Sequence, residues 1–282
     1  MKYGMNLLLW ATHVTDEHMP VIEKIKRVGF DGVEIPIFAG DEAHYRKLGQ
    51  DLNRLGLGCS AVTIATPEAN PSSADAAVRR AAVDRLKWAL DNAAALGADV
   101  LCGPYHQPLG LFTGNGATEE EKSRLADVLR QGAEHAATRN VRIGIEYLNR
   151  FECYMLNTGR DTAEMVRRVN HPNFGMMYDT FHANIEEKNP PAVIQEVGRH
   201  IVHVHISEND RGTPGTGHVQ WAETFRALRA INYDGWMTIE AFGRALPDLA
   251  AATRVWRDLF PTPDEVLEKG LAFMKNGWAG AR

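Results

Sequence analysis

Arg142-Ile143-Gly144-Ile145-Glu146 is a short apolar run that ends on a carboxylate and leads through a loop into a helical pattern. Three later segments repeat the design: Phe174-Gly175-Met176-Met177-Tyr178-Asp179, Ile201-Val202-His203-Val204-His205 and Trp236-Met237-Thr238-Ile239-Glu240. Each passes from strand-like residues into a metal-binding residue type. Parallel strands alternating with helices gather such terminal residues at one end of a β/α barrel, the end that carries the active site. Three carboxylates and an imidazole converging there suit a hard to borderline divalent cation.

The alternation continues upstream. Strand patterns are expected near Tyr3–Leu9, Gly32–Pro36, Cys59–Ile64 and Asp99–Pro104, and helices follow at about Val21–Val28, Ala43–Leu55 and Ala76–Leu96. Gly29, Gly56 and Gly97 stop those three helices. Thr118-Glu119-Glu120-Glu121 reads as an N-cap Thr with a capping-box Glu three residues on. Downstream helices are expected near Asp161–Val169, Pro191–Arg199, Trp221–Ala230 and Leu246–Phe260, with an extra C-terminal helix near Pro263–Asn276. Eight β-then-α units without a composition break predict a single (β/α)8 barrel domain over residues 1–282. An open doubly wound sheet is the runner-up, but no glycine-rich phosphate turn follows strand one.

The chain has 282 residues, 44% hydrophobic and 24% charged, the composition of an ordinary globular protein. A formal net charge of -5 argues against a nucleic-acid surface, which needs concentrated Lys and Arg. No apolar run approaches the roughly 20 residues of a membrane span. Leu7-Leu8-Leu9-Trp10 is too short for a signal peptide and reads as part of strand one. Cys59, Cys102 and Cys153 are scattered, offer no disulfide framework or zinc pattern, and favour a reduced, cytoplasmic protein.

A single carboxylate at a strand end is more often a loop cap or a salt-bridge partner. Glu146, Asp179, His205 and Glu240 in successive units are harder to assign to chance, because an acidic cluster with no cation repels itself. His203 and His205 fall on the same side of their strand by alternation, and His205 is nearer the mouth. In the loops that follow, Glu152, His182 and Arg211 add a carboxylate, an imidazole and a guanidinium suited to a polyhydroxylated, carbonyl-bearing substrate. The glycines of Gly212-Thr213-Pro214-Gly215-Thr216-Gly217 are expected to let that loop approach a ligand closely.

Four stretches resemble the ketose 3-epimerases, the D-tagatose and D-allulose (psicose) 3-epimerase group of xylose isomerase-like barrels. They are Glu146-Tyr147-Leu148-Asn149-Arg150-Phe151-Glu152, Asp179-Thr180-Phe181-His182-Ala183-Asn184-Ile185-Glu186-Glu187, His203-Val204-His205-Ile206-Ser207-Glu208 with Arg211, and Ile239-Glu240. The resemblance implies a divalent metal, manganese or cobalt first with magnesium also compatible, held by Glu146, Asp179, His205 and Glu240. It implies that Glu146 and Glu240 are the catalytic acid/base pair, and that Glu152, His182 and Arg211 hold the O1 and O2 end of the substrate. The implied reaction is epimerisation at C3 of a free ketose through an enediolate, in a homodimer or homotetramer.

Tyr105 and His106 in the loop after strand four, with Asn6 and Trp10, are candidates for the wall facing the far end of the sugar. Trp256, Phe260, Phe273 and Trp278 are candidates for a subunit interface or for core packing of the last helices. The rival readings are a hydroxypyruvate or aldose–ketose isomerase on the same scaffold, a metal-dependent hydrolase like endonuclease IV, and a non-catalytic sugar-binding barrel.

Overall fold

The computed structural model describes residues 1–281. Its eight parallel strands are β1 (Lys2–Asn6), β2 (Gly32–Pro36), β3 (Gly58–Val62), β4 (Val100–Gly103), β5 (Arg142–Glu146), β6 (Phe174–Asp179), β7 (Ile201–Ile206) and β8 (Trp236–Ile239). They close in chain order, β8 pairing back onto β1 through Lys2↔Trp236 and Met5↔Ile239. The helices are α1 (Met19–Val28), α2 (Glu42–Arg54), α3 (Ala76–Leu96), α4 (Glu119–Arg139), α5 (Gly159–Val169), α6 (Thr180–Glu186), α7 (Pro190–Val197), α8 (Trp221–Ala230), α9 (Pro247–Thr253) and α10 (Pro263–Gly280). This is the (β/α)8 barrel with an additional C-terminal helix that the pattern predicts.

Alternation along each strand builds two environments. Ile143, Ile145, Tyr178, Val204, Met237 and Ile239 join the apolar layer between the sheet and helices, against Ile22 and Ile25 of α1, Leu86 and Leu90 of α3, and Leu125 and Leu129 of α4. Each such side chain contributes about 1.5–3 kcal/mol on burial. The inward-facing residues near the carboxyl ends are instead charged or polar, and they form the site.

The helix ends follow their cap residues. Asp75 accepts from the Ala77 N–H at 2.7 Å, and α3 stops at Gly97, whose φ is 85°. Thr118 and Glu121 form the expected reciprocal box, with Thr118 N–H donating to Glu121 Oε2 at 2.8 Å and Glu121 N–H to Thr118 Oγ1 at 3.2 Å.

Four expectations change. Strand one ends at Asn6, because the Asn6 side chain accepts from the Leu8 N–H at 2.8 Å and turns Leu7–Leu9 into a 3-10 helix. The stretch after β6 is helical immediately: Asp179 Oδ1 caps α6 by accepting from the Phe181 N–H at 2.6 Å. The expected Leu246–Phe260 helix is only α9, which Arg254 terminates in the left-handed conformation with φ 62°. The last helix runs past Asn276 to Gly280. Among the aromatic residues of the C-terminal segments, Phe273 packs against Trp221 and Phe225 with ring centroids 5.2 and 5.9 Å apart, whereas Trp256 is 67% exposed. Among the described residues no helix is long and apolar enough to cross a membrane.

One irregularity in the barrel matters for the site. Met176 pairs with Ile201, but Met177 pairs with His203, so the β6–β7 register slips by one residue and Asp179 comes level with His205. Both side chains then face the same side at the same height.

Candidate active site

Glu146, Asp179, His205 and Glu240, from β5, β6, β7 and the end of β8, each offer a ligand atom within 4.8 Å of all the others, and all four are buried. His205 Nδ1 lies 3.6 Å from Asp179 Oδ2 and 3.4 Å from Glu240 Oε1, and it has no hydrogen-bond partner. Burial opposes a positive charge on this ring, but the surrounding carboxylates outweigh it and raise its pKa well above the usual histidine range. A buried, unpartnered imidazole nitrogen among carboxylates is the arrangement a cation completes. The electrostatics agree. Burial, with the charges on Glu240 and Asp179, pushes the Glu146 carboxyl well above its usual range. A divalent cation among these groups would remove that repulsion, so the donor set fits one.

The other ring nitrogen is committed. His205 Nε2 donates to Glu34 Oε1 at 2.6 Å, while His203 Nε2 stands 2.7 Å from Glu34 Oε2. Glu34 also accepts from Ser60 Oγ at 2.8 Å and from Asn6 Nδ2 at 2.9 Å, and Asn6 Nδ2 reaches Glu240 Oε1 at 3.3 Å. Glu34 is the floor of the site. The sequence pattern does not single it out: a lone carboxylate in Gly32-Val33-Glu34-Ile35-Pro36 is the only signal it offers. His203 faces inward beneath His205, with ring centroids 5.3 Å apart, as alternation requires. Glu34, Cys102, His203 and His205 form a second close group of potential ligands. His205 Nε2 is hydrogen-bonded to Glu34 at 2.6 Å, and His203 Nε2 stands 2.7 Å from the same carboxylate without hydrogen-bond geometry. Ligands about 2 Å from a shared tetrahedral cation stand farther apart than that.

Arg211 closes the opposite side. Its Nη1 donates to Asp179 Oδ2 at 3.1 Å, Glu240 Oε2 at 2.6 Å and Ser207 Oγ at 3.0 Å. Its guanidinium carbon stands 3.8 Å from the centre of the Phe181 ring and 5.0 Å from that of Phe242, so stacking fixes its plane. Asp179 is consequently held below the ordinary aspartate range: burial opposes this, and the Arg211 guanidinium and neighbouring imidazoles outweigh it. Arg211 itself has φ 69°, stabilised by its N–H bond to Glu208 O at 2.9 Å.

The glycines after Arg211 serve the loop's own packing. Glu208 accepts from the N–H groups of Gly215 at 2.7 Å and Asn209 at 3.0 Å, and from Trp221 Nε1 at 2.9 Å. A Cβ at Gly215 would strike the Phe273 ring, and one at Gly217 would strike Asn209 and Glu208. The expected close approach of these glycines to a ligand is replaced by close approach to protein atoms.

His182 lies in the first turn of α6, with Nε2 2.9 Å from Arg211 Nη2 and 3.6 Å from Glu146 Oε1. Burial first, then the Arg211 charge, hold this imidazole well below its usual pKa, so the ring is neutral. Glu152 accepts from Asn149 Nδ2 at 2.7 Å, and burial raises its carboxyl against the pull of Arg211. Glu152 and Arg211 line a cavity of about 450 Å³ with Phe151, Phe181, Trp256 and Leu259 around them. All seven expected residues thus belong to one constellation.

The two candidates after β4 separate. Tyr105 is buried, lines a small cavity beside Thr63, Leu86 and Leu129, and directs its hydroxyl to Leu101 O at 3.4 Å. His106 is fully buried with neither ring nitrogen partnered, and burial pushes it down to about 3.

The sequence matches the family described as the xylose isomerase-like TIM barrel over residues 22–277. It is 33% identical over 284 residues to the L-ribulose 3-epimerase of Methylomonas sp., covering 98% of this chain and 97% of the relative. It is 31% identical over 279 residues to the ketose 3-epimerase of Arthrobacter globiformis, covering 98% and 96%. The crystal structure of a D-allulose 3-epimerase from Methylomonas sp. in complex with D-allulose superposes with a TM-score of 0.92 at 30% identity, covering 98% of this chain and 96% of that one.

Proposed function

Because this chain belongs to the ketose 3-epimerases of the xylose isomerase-like TIM barrel family, and so is an isomerase acting on carbohydrates, we propose that it interconverts free ketoses differing at C3 with the help of a divalent metal. D-allulose/D-fructose, D-tagatose/D-sorbose and L-ribulose are the substrates to test first. Manganese or cobalt is the preferred ion. The observation that carries this reading is the pairing of two buried carboxylates, Glu146 and Glu240, with the donors of Arg211 and His182 in one constellation.

A cation held by Glu146, Asp179, His205 and Glu240 would supply Lewis-acid polarisation of the substrate's C2 carbonyl. The chain's own residues do the rest. One of Glu146 and Glu240, ionised, takes the C3 proton, and the C–H electron pair becomes the C2–C3 double bond while the carbonyl pair moves onto O2. The other carboxyl, protonated, returns a proton to the opposite face of C3, and the carbonyl re-forms. Arg211 and His182 direct N–H groups at the oxygen where charge develops, and Glu152 orients the O1 end. Phe151 and Trp256, exposed at 70% and 67% on the rim of the mouth, support assembly into a homodimer or homotetramer.

The test is a ketose panel in deuterium oxide, using metal-stripped protein reconstituted with manganese or cobalt. Epimer formation with one deuteron at C3 is expected. Deuterium at C2 of an aldose product, or at C1 of the recovered ketose, would instead assign an aldose–ketose isomerase, and no exchange with any ketose would end the reading.

A further inference from the structure

Asn149 lies at the turn after β5, 2% exposed, between two residues of the site. Its side-chain orientation is decided by its neighbours: Oδ1 accepts from the Phe151 N–H at 3.0 Å, which leaves Nδ2 facing Glu152 Oε1 at 2.7 Å and His182 Nδ1 at 3.0 Å. The Asn149 backbone N–H also donates to His182 Nδ1, at 3.0 Å. Two N–H groups therefore aim at one imidazole nitrogen. That nitrogen carries a lone pair, so a neutral ring carries its proton on Nε2.

The other end of the ring meets Arg211, Nε2 to Nη2, at 2.9 Å. Arg211 has only donors to offer. With the proton on Nε2, two N–H groups from neighbouring loops converge, and the contact becomes favourable when a single oxygen accepts from both. With the proton on Nδ1, Nε2 would accept from Arg211, the pair would satisfy itself, and one donor to the substrate would be lost. The Nδ1–H would then collide with the Asn149 N–H groups.

We propose that Asn149 is a positioning residue that selects the Nε2–H tautomer of His182 and so keeps the His182–Arg211 donor pair open for a substrate oxyanion. Two donors at Nδ1 against one at Nε2 favour this tautomer; its catalytic consequence rests on the epimerase reading. Asn149 acts through His182 and does not itself reach the reacting carbons.

The experiment is nitrogen NMR of histidine-labelled protein loaded with diamagnetic magnesium, with His182 assigned by comparison with His182→Gln. Wild type is expected to show an unprotonated Nδ1 and a protonated Nε2. Asn149→Asp, which replaces the side-chain donor at Nδ1 with a charged acceptor that outweighs the retained backbone N–H, is expected to move the proton to Nδ1 and to lower kcat for C3 epimerisation by about 100-fold, the effect of losing one oxyanion donor, with KM changed far less. Asn149→Ala keeps the backbone donor, so it should retain the Nε2–H signature and lose less activity. In a His182→Gln background, Asn149→Asp should add little further loss. A protonated Nδ1 in wild type overturns the proposal, as does an Asn149→Ala loss as deep as that of Asn149→Asp. The wild-type spectrum decides the tautomer even if the aspartate variant does not fold or no ketose is turned over, and inactivity of the wild type on all ketoses would count against the epimerase reading alone.

Discussion

Glu34 Oε1 and His205 Nε2 are 2.6 Å apart at the closed floor of the barrel, and this one bond sets which face His205 shows to the mouth. With Nε2 donating downward, Nδ1 is the nitrogen that faces Asp179 and Glu240 and is free to bind a cation in place of a proton. A carboxylate behind a metal-binding histidine fixes the tautomer and raises the basicity of the ring. Glu34→Gln keeps the size but can present its amide N–H to Nε2, which disfavours the required tautomer. Affinity for manganese should fall about 10- to 100-fold, measured by titration calorimetry or by the electron paramagnetic resonance of free Mn2+. Unchanged affinity would mean that Glu34 serves only the core.

Loading the site with metal should also raise thermal stability. At a free ion concentration about 100 times Kd the folded state gains about 2.7 kcal/mol, which is a shift of a few degrees in Tm for a chain of this size. Calorimetric scans of chelated and reconstituted protein check this. The gain should shrink in Glu34→Gln at equal ion concentration.

Glu146→Gln and Glu240→Gln should each lower the rate of C3 proton exchange by about 10²–10⁴-fold, and the double variant should lose much less than the product of the two. Proton NMR of a ketose in deuterium oxide measures it directly. Near-normal exchange in either single variant would remove that residue from proton transfer.

Arg211→Lys tests the stacked guanidinium. Lysine keeps the charge but neither the flat contact with Phe181 and Phe242 nor the forked donors that span Asp179, Glu240 and the His182 edge. A loss of about 10²–10³-fold in kcat is expected, comparable with removing an oxyanion donor. A lysine variant within a few-fold of wild type would show that charge alone suffices there.

His106 predicts an acid limb in stability. Its folded value near 3 lies below the ordinary 6.5, so the unfolded chain binds the extra proton first as the pH falls. Stability from this group is present above about 6.5 and is lost progressively as the pH drops toward about 3. Between pH 7 and pH 5 the loss amounts to about 2 kcal/mol. Urea midpoints of wild type and His106→Gln at the two pH values should differ in their pH slopes by about that amount, with wild type the steeper.

Much of the site could be read from strand ends. Glu146, Asp179, His205 and Glu240 each close an apolar run, and the barrel's parallel order turns that linear property into a shared location. The loop residues Glu152, His182 and Arg211 could be nominated from their side-chain chemistry beside the strand ends, but their roles at the O1 and O2 end needed the family resemblance, since a charged residue in a loop has no periodicity to betray its direction. Glu34 went unread because one carboxylate in a buried strand carries no repeated partner. Its partners lie 26 to 171 residues away in the chain. The misread helix at Leu246–Phe260 failed for a local reason, the left-handed turn at Arg254, which no glycine announced.

The amino-acid sequence by itself determined the alternation of strands and helices, and hence a closed barrel with its polar residues at the carboxyl ends, because hydrophobic period and cap chemistry act over a few neighbouring residues. Only the tertiary structure decided how those residues address one another. The one-residue slip between β6 and β7 levels Asp179 with His205. Glu34 from below and Asn149 from the side choose the protonated nitrogen of each imidazole. Hydrogen-bond direction depends on atoms brought together from distant segments, within about 3 Å and a narrow range of angle, and no pattern along the chain specifies that.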